Sequence, residues 1–133
     1  MHTKRKGNIS EAKVLTSFVE KQIPILMPWG ENERYDFVVE MDGFQRIQVK
    51  TAKENCGVLS FRSCSTRVNS KGNIRTFYTE KDIDFFGVYA PINNKVYLVP
   101  IRSCNKGGEV TLRIKSSKNN QKKRIRWAVD FEF

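Results

Sequence analysis

Two apolar runs, Tyr35 to Met41 and Phe44 to Lys53, flank Asp42-Gly43, and this arrangement constrains the fold more than any other feature of the chain. Asp-Gly between strand-forming runs is a hairpin signal. Read as a three-residue loop, Met41-Asp42-Gly43 with Gly43 left-handed, the turn pairs Glu40 with Phe44 and sets Asp36 opposite Gln48. Directly opposed residues share a face. Tyr35, Phe37, Ile47 and Val49 then form an apolar side, and Asp36, Gln48 and Lys50 collect on the other. A two-residue turn on Asp42-Gly43 would shift the register by one and scramble this division; the hydrophobic pattern favours the first register.

Around the hairpin the elements are simpler. Asn8-Ile9-Ser10-Glu11 reads as a helix start, with Asn8 as N-cap and Glu11 closing a capping box. Ile9, Ala12, Leu15, Phe18 and Val19 recur at helical spacing, and the helix should end near Lys21 or Gln22, before Pro24. Ile23 to Met27 reads as a short strand. Val58 to Phe61, Asp84 to Ala90, Lys95 to Ile101, Glu109 to Ile114 and Ile125 to Phe131 read as further strands. The Ser-, Arg- and Lys-rich stretch through Arg75 reads as loop. No internal repeat or linker divides the chain, so residues 1–133 are expected to form a single domain.

Charge and rare residues narrow the chemistry. The formal net charge is +10, and Arg102 to Arg126 holds nine basic residues against one acid, Glu109. Such a field suits a phosphate backbone; an anionic membrane competes, but Lys118 to Arg124 lacks the apolar face of an interfacial helix. A solvated loop is the plain reading of the same segment. No apolar run approaches the roughly 20 residues of a membrane span, and the polar N-terminus lacks a signal core, so a soluble, cytoplasmic protein without a membrane partner is expected. Cys56, Cys64 and Cys104 form no Cys-x-x-Cys pair and His2 is the one histidine. A structural zinc site and a His-dependent hydrolase are hard to build from these, and buried or half-buried free thiols are expected.

The Asp36, Gln48 and Lys50 face suits phosphodiester cleavage. Residues two apart on a strand share a face at about 6.6 Å. Hard oxygens there suit Mg²⁺, Lys50 could orient the attacking water and offset phosphate charge, and Glu11 could add a carboxylate. Each has a plainer reading: Glu11 as a capping residue, Asp36 paired with Arg34 or Arg46, Gln48 and Lys50 on a wet sheet face.

Gly7-x-x-x-Glu11, Arg34-Tyr35-Asp36 and Arg46-Ile47-Gln48-Val49-Lys50-Thr51, in that order, resemble the PD-(D/E)XK nuclease superfamily. Asp82-Ile83-Asp84-Phe85-Phe86-Gly87-Val88-Tyr89 followed by Val96-Tyr97-Leu98-Val99-Pro100 resembles its small single-domain branch, which includes group I intron-encoded homing endonucleases of cyanobacterial type. The resemblance implies an α/β (α+β) restriction-endonuclease-like core: a mixed central sheet flanked by helices, with an N-terminal helix followed by the hairpin that carries the active site. It implies Asp36 as the central metal carboxylate, Gln48 in the second acidic position, the Val49 carbonyl as a further ligand, Lys50 as the family lysine and Glu11 as a supporting carboxylate. The implied cofactor is Mg²⁺, with Mn²⁺ able to substitute. Tyr35 stands where the family has proline, and Gln48 where it has Asp or Glu; the second change removes a charge and implies weaker metal binding. The sequence offers no clear second helix, because Glu80 to Asp84 is too short.

The leading expectation is a Mg²⁺-dependent, site-specific DNA endonuclease of homing type that makes double-strand breaks in double-stranded DNA. One site per chain and two strands to cut imply a homo-oligomer, dimer or tetramer. Arg62, Arg67, Lys71, Arg75, Arg113, Lys115, Lys122, Lys123 and Arg124 are the candidate DNA contacts, Arg suiting bases and Lys phosphates. The alternatives are a nuclease resembling archaeal Holliday junction resolvases and a non-catalytic DNA-binding domain of the same fold.

Overall fold

The computed structural model describes residues 2–104, 108–115 and 125–133. Its single α-helix among them, α1, runs Thr3–Glu20. The expected start at Asn8 is wrong: His2 is the cap, its Nδ1 accepting the Lys4 N–H at 3.3 Å and its carbonyl the Arg5 and Lys6 N–H groups. Thr3 to Lys6 tolerate helix well enough to extend it, which leaves Asn8 and Glu11 inside and removes the capping-box role. The buried stripe is Ser10, Val14 and Phe18, whereas Ile9 and Val19 of the expected stripe are 40% and 61% exposed. Apolarity alone misses this phase, because the stripe begins with a serine whose hydroxyl bonds Thr51.

A five-stranded mixed sheet forms the centre. Its strands are β1 (Ile25–Leu26), β2 (Phe37–Glu40), β3 (Phe44–Thr51), β8 (Phe85–Ala90) and β9 (Lys95–Pro100), in that spatial order. The β2–β3 hairpin has the expected register at Glu40 opposite Phe44 and Phe37 opposite Ile47, but the ladder stops at Phe37, where the Asp36 N–H turns to the Ile47 carbonyl, and Tyr35 packs in the opposite cluster from Phe37, Ile47 and Val49. Asp42 joins Gly43 at positive φ, +52° and +89°, so the turn is not the plain type I loop of the sequence reading. Strand β3 pairs with β8 in parallel and β8 with β9 antiparallel. Parallel neighbours need a long crossover, and residues between β3 and β8 supply it.

Helix α1 covers one face. Val14 and Phe18 pack on Phe37, Val39, Ile47, Tyr89 and Val96. Gly87 permits the close approach: a Cβ there would lie 2.7 Å from a Val14 methyl and 3.1 Å from one of Ile47. On the far face, where the family pattern would put a helix, a three-stranded sheet takes the position. It consists of β4 (Lys53–Asn55), β5 (Val58–Arg62) and β10 (Glu109–Arg113), ordered β10-β5-β4. Leu59, Phe61, Val110 and Leu112 pack there against Phe86, Val88, Tyr97 and Val99.

Two segments correct the sequence reading. The supposed loop through Arg75 is an antiparallel ribbon, β6 (Cys64–Asn69) with β7 (Gly72–Phe77). Thr66 to Phe77 is exposed throughout, so the ribbon has no core-facing stripe from which to recognise it. The expected strand from Ile125 to Phe131 is instead a bridge from Trp127 to Arg113 and a 3-10 turn at Ala128–Phe131. Ala128 is buried while Val129 is 70% exposed, so the alternation in sequence is not used. Beyond it, Phe133 donates its N–H to the Val96 carbonyl and Glu132 pairs with Lys95.

Candidate active site

The site lies where β2 leaves β3. Asp36, just before β2, donates its N–H to the Ile47 carbonyl, and its Oδ2 accepts the Val49 N–H at 2.7 Å. Ile47 and Val49, two apart, present their backbone groups to the same edge of β3. The Asp36 side chain therefore takes the N–H that a continuing β2 would have taken. Its carboxylate folds into the gap between the strands rather than standing on an open sheet face. The Val49 carbonyl opens on the same gap, and Gln48 Nε2 donates to it at a long 3.4 Å.

Glu11, on α1, lies within electrostatic reach of Asp36. Burial raises its carboxyl above the ordinary range, and the Asp36 charge raises it further. Burial likewise raises Asp36, against the lowering effects of the Val49 N–H and of Lys50. Two carboxylates thus act on each other electrostatically while partly out of water, at some cost. The alternative pairings of Asp36 fail, because Arg34 pairs with Asp82 at 2.9 Å and Arg46 with Asp84 at 3.0 Å.

Lys50 is half-buried, not solvent-facing. Its Nζ donates to the Cys64 carbonyl at 2.8 Å and lies 5.1 Å from the centre of the Tyr78 ring. Burial lowers its pKa despite the nearby Asp36 charge, which favours proton exchange nearer neutrality.

The donor set fits a hard divalent cation. Among the described residues nothing donates a hydrogen bond to Asp36 Oδ1, to the Glu11 carboxylate or to Gln48 Oε1. With the Val49 carbonyl, these are oxygen donors of the kind Mg²⁺ takes. Among the described residues no three His, Cys, Asp or Glu side chains converge, so such an ion would depend on the amide and carbonyl to complete a two-carboxylate set.

Two neighbours have no site role in the sequence reading, where Arg34 stands only as a motif residue and possible partner of Asp36. Arg34 is bound to Asp82, Ser65, Thr76 and Phe77 and lies 4.0 Å from the Tyr78 ring centre. Tyr78 faces both Arg34 and Lys50, and burial raises its phenol. Both lie close to the catalytic candidates only through the fold; the one local signal is that Arg34 precedes Asp36 by two.

The basic candidates separate. Arg67, Lys71 and Arg75 gather on the exposed β6–β7 ribbon. Arg62 sits across the ladder from Glu109, at the opposite end of β5–β10 from Arg113 and Lys115. Arg113 Nε donates to the Lys115 carbonyl, while Lys115 is exposed. Lys122, Lys123 and Arg124 lie outside the described residues. The cysteines are free: Cys56 is exposed, contrary to expectation, Cys64 is buried, and burial pushes the half-buried Cys104 thiol up to about 11. Among the described residues no helix is long and apolar enough to cross a membrane.

Comparison with known proteins gives the chain's family and a similar fold. A family model described as PD-(D/E)XK endonuclease matches residues 1–133. The chain is similar to a solved bacterial homing endonuclease, I-Ssp6803I, with a TM-score of 0.79 and 25% identity, over 99% of this chain and 89% of that one. No curated protein matches in sequence.

Proposed function

The chain belongs to the PD-(D/E)XK endonuclease family, and on that premise we propose that it hydrolyses phosphodiester bonds of double-stranded DNA at an extended specific site, with Mg²⁺ as cofactor. One observation carries the reading: the Asp36 carboxylate bonds the Val49 N–H at the break between β2 and β3, within electrostatic reach of Glu11 and Lys50. Asp36, Gln48, Val49 and Glu11 would hold the cation. Bound there, it would offset phosphate charge and make water a stronger nucleophile.

The chain's own groups account for the rest. Lys50, anchored on the Cys64 carbonyl, orients the attacking water and balances charge on the phosphate. Glu11, on α1 within electrostatic reach of Asp36, would supply the second carboxylate to the cation. Arg67, Lys71 and Arg75 on the ribbon bind the duplex, since a two-stranded ribbon fits the major groove. Arg62, Arg113, Lys115 and the Lys122 to Arg124 segment add phosphate contacts. With one such site per chain, a break in both strands uses two copies related by symmetry.

The test is incubation of the protein with a randomised duplex library and, separately, a four-way junction, in Mg²⁺ or EDTA. Mg²⁺-dependent cuts at one extended motif are expected. Cutting confined to junctions regardless of sequence would replace site specificity with structure selectivity, and retained DNA binding with no cutting of either would make this a binding domain.

A further inference from the structure

The β6–β7 ribbon projects without a core of its own, yet its root touches the active site. Cys64, the first residue of β6, accepts the Lys50 ammonium, and Tyr78, the residue after β7, lies beside it. What joins this root to the entry of β2 is Arg34. Its Nη1 donates to the Phe77 carbonyl at 3.0 Å and to Asp82 Oδ2 at 2.9 Å; its Nη2 donates to the Thr76 carbonyl at 2.9 Å and to Ser65 Oγ at 3.1 Å. Asp82 also accepts the Thr79 N–H and hydroxyl, which fixes the return from the ribbon.

The chemistry needs an arginine. A planar guanidinium presents five N–H donors in a rigid fork and stacks on an aromatic face; lysine cannot reach four acceptors in two directions. Arg34 bonds both strands of the ribbon at its base, Ser65 on β6 and Thr76 and Phe77 on β7. It stands two residues before Asp36, so one short segment carries both the clamp and the central carboxylate.

We propose that Arg34 is a positioning residue that clamps the root of the β6–β7 ribbon to the Asp36 segment, so that duplex held by the ribbon meets Lys50 and Asp36 in one fixed register. This rests on the nuclease reading above and extends it: the ribbon is a part of the active-site frame, and Arg34 works through it rather than on the phosphate. Loss of the clamp leaves the ribbon able to bind DNA but removes the alignment between bound duplex and Lys50.

Arg34→Lys, which keeps the charge and loses the fork, tests this, with Asp82→Asn as a second variant that leaves Arg34 in place. Amide hydrogen exchange of residues 64–77 in the free, metal-free protein should accelerate at least about 10-fold in both variants, with the rest of the chain unchanged. On a duplex that the wild-type protein cuts, kcat should fall about 100-fold, as for a displaced reacting group, with KM and DNA affinity within about 3-fold. Unchanged exchange in both variants would overturn the clamp. Accelerated exchange with wild-type kcat would overturn its role in alignment. Weaker binding together with a salt slope lower by about 0.9 would make Arg34 a phosphate contact instead. If the wild-type protein cuts nothing, the nuclease reading fails and the coupling with it, while hydrogen exchange still reports separately on the clamp.

Discussion

The carboxylate of Asp36 accepts the N–H of Val49 at 2.7 Å and thereby caps the β3 edge at the point where β2 turns away. The bond secures the side chain but leaves the charge partly buried beside Glu11. In the metal-free protein, Asp36→Asn keeps an acceptor for Val49 and removes the buried charge. Because the site is partly open to solvent, the gain is held near about 1 kcal/mol, a rise in Tm of about 4 °C. A calorimetric scan in EDTA checks it; a lower Tm would mean that the carboxylate is fully compensated as it stands.

The same pair sets a pH dependence. Burial, and for Glu11 the Asp36 charge, raise both carboxyls, so in the acidic range the folded chain holds protons that the unfolded chain has released. Their contribution to stability therefore falls as pH rises from the ordinary carboxylate range through the raised folded values. Asp84 runs the other way: burial alone would raise it, but the Arg46 guanidinium and N–H hold it low, so its contribution is lost as pH falls through that lowered value. The difference in stability between wild type and Glu11→Gln/Asp36→Asn, measured in EDTA across that range, isolates the first effect. A flat difference would contradict it.

Gln48 supplies an amide where a carboxylate would bind a cation more tightly. Gln48→Ala should raise the Mg²⁺ concentration needed for half-maximal cleavage about 10-fold, and Gln48→Glu should lower it. A metal titration that moves with neither variant would make Gln48 a structural neighbour of Val49 and nothing more.

Ser10 and Thr51 share a hydroxyl–hydroxyl bond between α1 and β3, next in sequence to Glu11 and Lys50. Thr51→Val should lower Tm by about 4 °C, as loss of about 1 kcal/mol does, and raise the metal requirement by loosening Glu11; Thr51→Ser should retain both. Loss of Tm without a change in metal requirement would confine the bond to stability.

Replacing Arg67, Lys71 and Arg75 together by alanine removes three exposed charges on the ribbon. The slope of log affinity against log salt should fall in magnitude by roughly 2 to 3. An unchanged slope would place the duplex elsewhere on the molecule.

Much of this architecture is legible in the residues. Alternation at Phe37, Val39 and Ile47 leaves one hairpin register that buries them together, and that register brings Asp36 to the strand carrying Gln48 and Lys50. The apolar runs of β8 and β9 read as strands because both faces are covered. The ribbon is illegible for the opposite reason: it has no buried stripe, and a guanidinium 31 to 42 positions away in sequence holds its base. The helix start deceives because Asn8 and Glu11 form a capping pattern inside a helix that His2 already caps. The clamp on Tyr78 and the Cys64 contact to Lys50 depend on the three-dimensional path between β3 and β8, which local spacing does not encode.

The most direct test of the central claim is single-turnover cleavage of a duplex substrate in Mg²⁺ by wild-type protein and by Asp36→Ala, with DNA affinity measured in parallel. Loss of one central metal ligand should reduce the rate at least about 1000-fold, with affinity within about 3-fold because a carboxylate makes no favourable contact with a phosphate. Cleavage by Asp36→Ala at a wild-type rate would show that the gap between β2 and β3 is not where the reaction occurs.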